Sequence, residues 1–241
     1  MKGSAVWSLP EGYRLEREVK LSEDIGILKE MAVIQLILAA ALIAAGLYGY
    51  RQPVSAAFSM GTARTIGAFC FMAAGILVYF LAQEWVHGVF IRLFTGKNAE
   101  FGFKLKKGMA YAYSQAYFPR GQYIVIALGP LIVWTVILGL LLKDVPDSWF
   151  WYLYVIQIVN VSGAVGDLYV TWLTLGMPKE TLIRDNGMEM KYFVKRQEQD
   201  GSKKVGRNTD DNEPSGYGTG GAAAEKIRGA QHYSHAGERF I

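Results

Sequence analysis

The sequence predicts an all-α membrane protein of about four transmembrane helices, with a small cytoplasmic β-hairpin and a disordered C-terminal tail. Of its 241 residues, 51% are hydrophobic and only 19% are charged. The apolar residues gather in blocks that can cross a bilayer, which takes about 20 residues per helix. Because the backbone must satisfy its own hydrogen bonds in lipid, continuous apolar blocks of this length indicate helices.

The apolar blocks define the predicted helices and, with them, the organisation of the chain. The blocks cover residues 25–48, 65–94, 121–142 and 149–175. Gly129-Pro130 within the third block indicates a kink, which neighbouring helices can accommodate in a membrane. We therefore expect three parts, which are a cytoplasmic N-terminal segment (1–24), a membrane-embedded domain (25–195) and a cytoplasmic tail (196–241).

Two short segments outside the apolar blocks show the pattern of β-strands. Phe101–Tyr113 alternates large and small or basic residues on either side of Lys106-Lys107-Gly108, which predicts a hairpin. The hairpin could simply cap the helices or take part in function. Thr181–Lys195 contains the turn signal Asp185-Asn186-Gly187 and is predicted to form another small element. From about Gln197 onward few large apolar residues remain, which is typical of a disordered segment.

The distribution of basic residues predicts the orientation of the helices. All but three of the 25 Lys and Arg residues lie on one side of the predicted helices, and the exceptions are Arg51, Arg64 and Lys143. The positive-inside rule places that side in the cytoplasm, together with both termini. We therefore expect a multi-pass protein of the cell membrane, with a bacterial inner membrane as the setting that suits its short loops.

Three ionisable residues lie deep within the apolar blocks. Glu84 and Asp167 are carboxylates, and His87 is the single histidine before the tail. Ionisable groups at membrane depth are costly, so they are candidates for a function. Alternatively, Glu84 and His87 pair with each other or with Arg92 for structural reasons.

Spacing favours a common site. Gln83 and His87 are four residues apart and share one helix face, with Glu84 beside them. This is the geometry of HExxH, in which two histidines bind zinc and the glutamate activates the bound water. Counted from the outer ends of their helices, His87 and Asp167 reach a similar depth and could meet. Asn160 could bond the His87 ring or tie two helices together.

Six runs of residues, taken in order, resemble the putative zincin peptidases of bacterial membranes, a family similar in logic to site-2 intramembrane proteases. These runs are Gln83–Gly88, Phe101–Lys104, Tyr117–Arg120, Ala127–Pro130, Asn160–Asp167 and Ile183–Gly187. The resemblance covers most of residues 65–195. It implies a zincin-like membrane domain in which Glu84 is the general base and His87 and Asp167 are metal ligands.

The chain departs from this family at Gln83, which stands where the first histidine of HExxH is expected and gives QExxH. Zinc in proteins is held by Cys, His and Asp or Glu, so a neutral amide should weaken the site. The expected zinc is therefore weakly bound or absent, although Gln83 could still coordinate through its oxygen or a harder metal could bind. His232 and His235 could supply a ligand, but we expect them in solvent.

Three functions remain open at this point. The chain could be a zinc metallopeptidase that is catalytically impaired or divergent, with the metal polarising a carbonyl and Glu84 taking a proton. It could be a non-catalytic membrane scaffold or binding protein, that is, a pseudo-peptidase. It could also be a small transporter that uses the intramembrane Glu, His and Asp. The expected partners are the lipid bilayer and a membrane-protein or peptide substrate, and not a nucleic acid.

Overall fold

The computed structural model describes residues 5–21, 23–49, 53–104, 109–187 and 189–196. Within these ranges, four helical segments are long and apolar enough to cross a membrane, and each contains one predicted block. They are α1 (Ile25–Gly49), α2 (Thr62–Thr95), α3 (Arg120–Asp144) and a last span, Asp147–Leu175, made of α4 (Asp147–Gly163) and α5 (Val165–Leu175). The predicted fold class is therefore confirmed. The tail that was predicted to be disordered (196–241) lies, except for Arg196, outside the described residues.

The helix ends follow local sequence signals. α2 ends at Thr95 and is capped by Gly96, which adopts a left-handed conformation (φ 69°) and donates its N–H to the carbonyl of Arg92 at 2.8 Å. Glycine favours this position because it has no Cβ to clash there. α3 continues through Pro130, which is fully buried. The last span is interrupted at Ala164, so that Asp167 lies in the first turn of α5.

Both predicted β elements are present, one between α2 and α3 and the other after α5. Strands β2 and β3 pair antiparallel, with Glu100 opposite Tyr113, while the residues predicted to form their turn lie outside the described part. Strands β5 and β6 form the second hairpin around the Asp185 turn. The strands are β1 (Tyr13–Val19), β2 (Glu100–Lys104), β3 (Met109–Tyr113), β4 (Phe118–Pro119), β5 (Leu182–Asp185) and β6 (Met190–Lys195).

The second hairpin is part of a larger sheet than the sequence indicated. Four antiparallel strands lie in the order β1-β6-β5-β4. β1 comes from the charged N-terminal segment, and its last residue, Val19, pairs with Met190. Because β1 leads into α1, β2 and β3 connect α2 to α3, and β5 follows α5, both sheets adjoin the same end of the helices.

A buried amide joins three of the helices away from that end. Asn160 of α4 is fully buried, accepts a hydrogen bond from the Tyr79 hydroxyl on α2 at 2.9 Å and donates one to Thr135 on α3 at 2.9 Å. Of the two roles considered for Asn160, the structure shows the interhelical tie and no bond to His87. In lipid, interhelical hydrogen bonds of this kind act together with close packing to hold helices together.

We expect Asn160→Ala to lower the free energy of unfolding by about 1–2 kcal/mol, because Tyr79 and Thr135 both lose a partner. Thermal unfolding in detergent measures the change. Ser162→Ala is the matched control, because Ser162 is also buried on α4 but donates within its own helix, to the carbonyl of Ile158 at 2.7 Å. Equal losses for the two variants would contradict the interhelical role.

Candidate functional site

A cavity of about 380 Å³ lies where the helix ends meet the two sheets. Part of its wall is apolar and comes from the N-terminal part of the chain, including Leu28 and Met31 of α1. Its polar lining comes from α2, α3, α5 and both hairpins. The residues of that polar lining are Glu84, His87, Tyr111, Tyr113, Ser114, Tyr123, Asp167, Asp185 and Glu189. Three of the predicted site residues therefore share one cavity.

His87 and Asp167 face each other across this cavity. His87 Nδ1 lies 3.0 Å from the carbonyl oxygen of Ile126 on α3. Because a carbonyl can only accept, Nδ1 carries the proton in this bond and the neutral ring presents the Nε2 lone pair. Nε2 lies 3.9 Å from Asp167 Oδ1. A backbone carbonyl that fixes the tautomer in this way is usual behind a metal-binding histidine.

Glu84 is engaged by the hairpin rather than by His87. Its Oε2 accepts a hydrogen bond from the backbone N–H of Ala112 in β3 at 2.8 Å. The alternative was that Glu84 pairs with His87 or Arg92 for structural reasons. Among the described residues, Glu84 forms no ion pair with either of them. The residue expected to act as general base is thus held by a strand that borders the cavity.

Gln83 is not brought into the cavity with the others. It is half-buried, and the described residues that line the cavity include Glu84 and His87 but not Gln83. In the described part of the chain, no group of three or more His, Cys, Asp or Glu side chains could hold a metal ion. A catalytic zinc site takes three protein ligands, and among the described residues His87 and Asp167 are the predicted ligands that face each other. His232 and His235 lie outside the described residues.

Asp185 is a cavity residue that the sequence predicted as part of a turn and of the family-like run Ile183–Gly187, with no role in the site. Its carboxylate accepts hydrogen bonds from the Tyr123 hydroxyl at 2.7 Å and from the N–H of Gly187 at 2.8 Å. Burial raises the pKa of Asp185, while these two hydrogen bonds and the nearby His87 act in the opposite direction. The one signal in the sequence is an aspartate two residues after the apolar pair Leu182-Ile183, at the start of the turn.

The ring of Tyr111 connects the two hairpins at the cavity. It lies between Gly102 of β2 and Gly187 of the β5–β6 turn, and a Cβ added at either glycine would overlap it. Gly187 also has a positive φ of 76°. The two glycines therefore allow one aromatic side chain to bridge the separate sheets.

A known protein family matches the part of the chain that contains most of the site. The sequence profile of a family described as "Putative zincin peptidase" matches residues 76–182. The resemblance predicted from the sequence is thus confirmed for this zincin-like segment, which contains Glu84, His87 and Asp167 but ends before Asp185. No curated protein and no solved structure matches the chain.

Proposed function

We propose that the chain is a multi-pass, membrane-embedded peptidase-like protein of the zincin type, with an impaired metal site and a cavity that binds a peptide segment. The observation that carries the proposal is the donor set. His87 and Asp167 face each other at 3.9 Å, and position 83, where the family has a histidine, holds a glutamine.

Two good donors are too few for a stable catalytic zinc, because such sites use three protein ligands and keep a further position for water or substrate. A glutamine amide is a weak replacement for imidazole as a zinc ligand. The zincin-like segment thereby retains the scaffold and the carboxylate of Glu84, while its capacity for hydrolysis is reduced.

The orientation that we propose has both termini and the cavity at the cytoplasmic face of the cell membrane. The support is the charge distribution, since Lys and Arg concentrate on the side from which the two sheets extend. In this orientation the cavity lies at the cytoplasmic ends of the helices. It can receive a segment that leaves the membrane on that side.

An extended peptide is the ligand that the cavity suits best. β3 lines the cavity through Ala110 and Ala112, and within the described part of the chain β2 is the only strand that pairs with it. A strand with a free edge can pair with an extended peptide through main-chain hydrogen bonds. The apolar wall around Leu28 and Met31 would then contact side chains of that peptide.

Metal content tests the proposal. We expect the purified protein to carry less than one zinc per chain. Gln83→His should raise zinc occupancy markedly, because it restores an imidazole one helical turn before His87. Inductively coupled plasma mass spectrometry on protein in detergent measures both values.

Two controls make this result specific. Gln83→Leu should bind no more zinc than the wild type, and adding Asp167→Asn to Gln83→His should remove most of the gain. The proposal is wrong if the wild-type protein already binds one zinc per chain and Glu84→Gln abolishes cleavage of a membrane substrate.

A further inference from the structure

We propose that Glu84 closes the peptide-binding edge of β3 in the ligand-free protein, and that an incoming peptide strand displaces it. The inference rests on the proposed function, because it concerns how the same cavity is regulated. The hydrogen bond between Glu84 and Ala112 is thus autoinhibitory, because it occupies the edge of β3. Binding of a peptide releases the carboxylate from this bond.

The register of the hairpin shows which way the Ala112 N–H points. In an antiparallel pair, directly opposed residues alternate between hydrogen-bonded and non-hydrogen-bonded positions. Ala112 lies opposite Phe101, yet it donates its N–H to Glu84 at 2.8 Å. The pair is therefore non-hydrogen-bonded, and Ala112 directs its main-chain groups away from β2. Ala110, two residues earlier, directs its own groups to the same side.

This outer edge of β3 borders the cavity and leaves room beside it. Ala110 and Ala112 both line the cavity, and their methyl side chains take up little of it. The hairpin is also held in position, since the Tyr111 ring packs against Gly187 of the other hairpin. An extended peptide can therefore approach a fixed edge whose hydrogen-bonding groups are already directed toward it.

Glu84 and a peptide would compete for one donor. A strand that adds to this edge needs the Ala112 N–H for one of its carbonyl groups, and that N–H already serves the carboxylate. Hydrogen bonds to an ionised acceptor are stronger than those between neutral groups, so the carboxylate weakens peptide binding. Once displaced, Glu84 remains in the cavity that contains His87 and Asp167. The bound peptide thereby leaves the carboxylate free within the same cavity.

Removing the carboxylate is the test. The probe is a short fluorescent peptide of alternating valine and threonine, and its affinity is measured by anisotropy with the protein in lipid nanodiscs. We expect Glu84→Ala to bind this peptide about tenfold more tightly than the wild type. Glu84→Gln keeps an acceptor of the same shape without the charge, so its affinity should fall between the two.

Amide hydrogen exchange gives a second readout that a general loss of packing would not reproduce. In Glu84→Ala without peptide, the segment containing Ala112 should exchange faster than in the wild type, and saturating peptide should restore its protection. Glu23→Ala is the control, because it removes a carboxylate outside the cavity and should change neither quantity. A probe with proline at its centre cannot complete the strand pairing and should show no gain in affinity.

The outcomes separate this inference from the proposed function. Equal peptide affinity in the wild type, Glu84→Gln and Glu84→Ala, with unchanged exchange at Ala112, overturns the displacement model and leaves the binding function intact. Failure of the peptide to bind any variant overturns the proposed peptide-binding function, and the displacement model with it.

Discussion

Gly187→Ala should lower the free energy of unfolding by about 2–5 kcal/mol, the largest loss we expect from a single methyl group in this protein. Two effects add. The residue has a φ of 76°, which costs an L-amino acid about 1–2 kcal/mol. The new Cβ would also overlap the ring of Tyr111, and overpacking of this kind costs about 1–3 kcal/mol. Thermal or denaturant unfolding in detergent measures the loss.

Gly12→Ala separates the two effects. Gly12 has a similar φ of 82°, but a Cβ there would meet nothing within 4 Å. We therefore expect it to lose only the conformational part, about 1–2 kcal/mol. A double-mutant cycle with Tyr111→Ala should recover the remaining loss at Gly187, because the smaller side chain removes the overlap. If Gly187→Ala were no less stable than Gly12→Ala, the bridge between the hairpins would not contribute to stability.

Gly129→Ala should lower the free energy of unfolding by about 1–3 kcal/mol through the packing of α3 on α2. A Cβ at this position would overlap the ring of Phe90, whereas at Gly139 on the same helix it would meet nothing within 4 Å. Gly139→Ala is therefore the matched control and should stay within about 1 kcal/mol of the wild type. Thermal unfolding of the two variants in the same detergent measures the difference.

A variant at Phe90 tests whether its ring is the cause of the loss at Gly129. If the overlap is the cause, Phe90→Ala should make the protein tolerant of Gly129→Ala, so that the double variant loses less than the sum of the single losses. Strictly additive losses would place the origin of the Gly129 effect elsewhere. The result bears on the site, because α2 and α3 together hold His87 through the carbonyl of Ile126.

The helices of this protein could be predicted from its sequence because bilayer thickness imposes a local requirement. A block of apolar residues either reaches the length of a span or does not. Ile25–Gly49 reaches that length, and this can be read from its own residues without knowing its contacts with distant parts of the chain. The hairpins carried local turn signals as well. β1 could not be found in this way, because its charged residues acquire a partner only from β6, far along the chain.

The site was predictable only in part, for a related reason. Helical spacing placed Glu84 next to His87, and depth brought Asp167 to the same level. The contact between Glu84 and Ala112 depends on how the hairpin folds back, and the position of Asp185 depends on a turn that packs against Tyr123 of α3. Spacing also put Gln83 on the face of His87, while the packed helix leaves it off the cavity lining.

The pairing of Val19 with Met190 has a consequence for the order in which the molecule is made. A ribosome releases β1 first and β6 only after all four long apolar helical segments, so the N-terminal strand stays unpaired while those segments are made. Contacts between residues so far apart form late, because a long loop must close before they can contribute. Val19 and Met190 both line the cavity. The pocket is therefore completed late in biogenesis, once the long helices have been made.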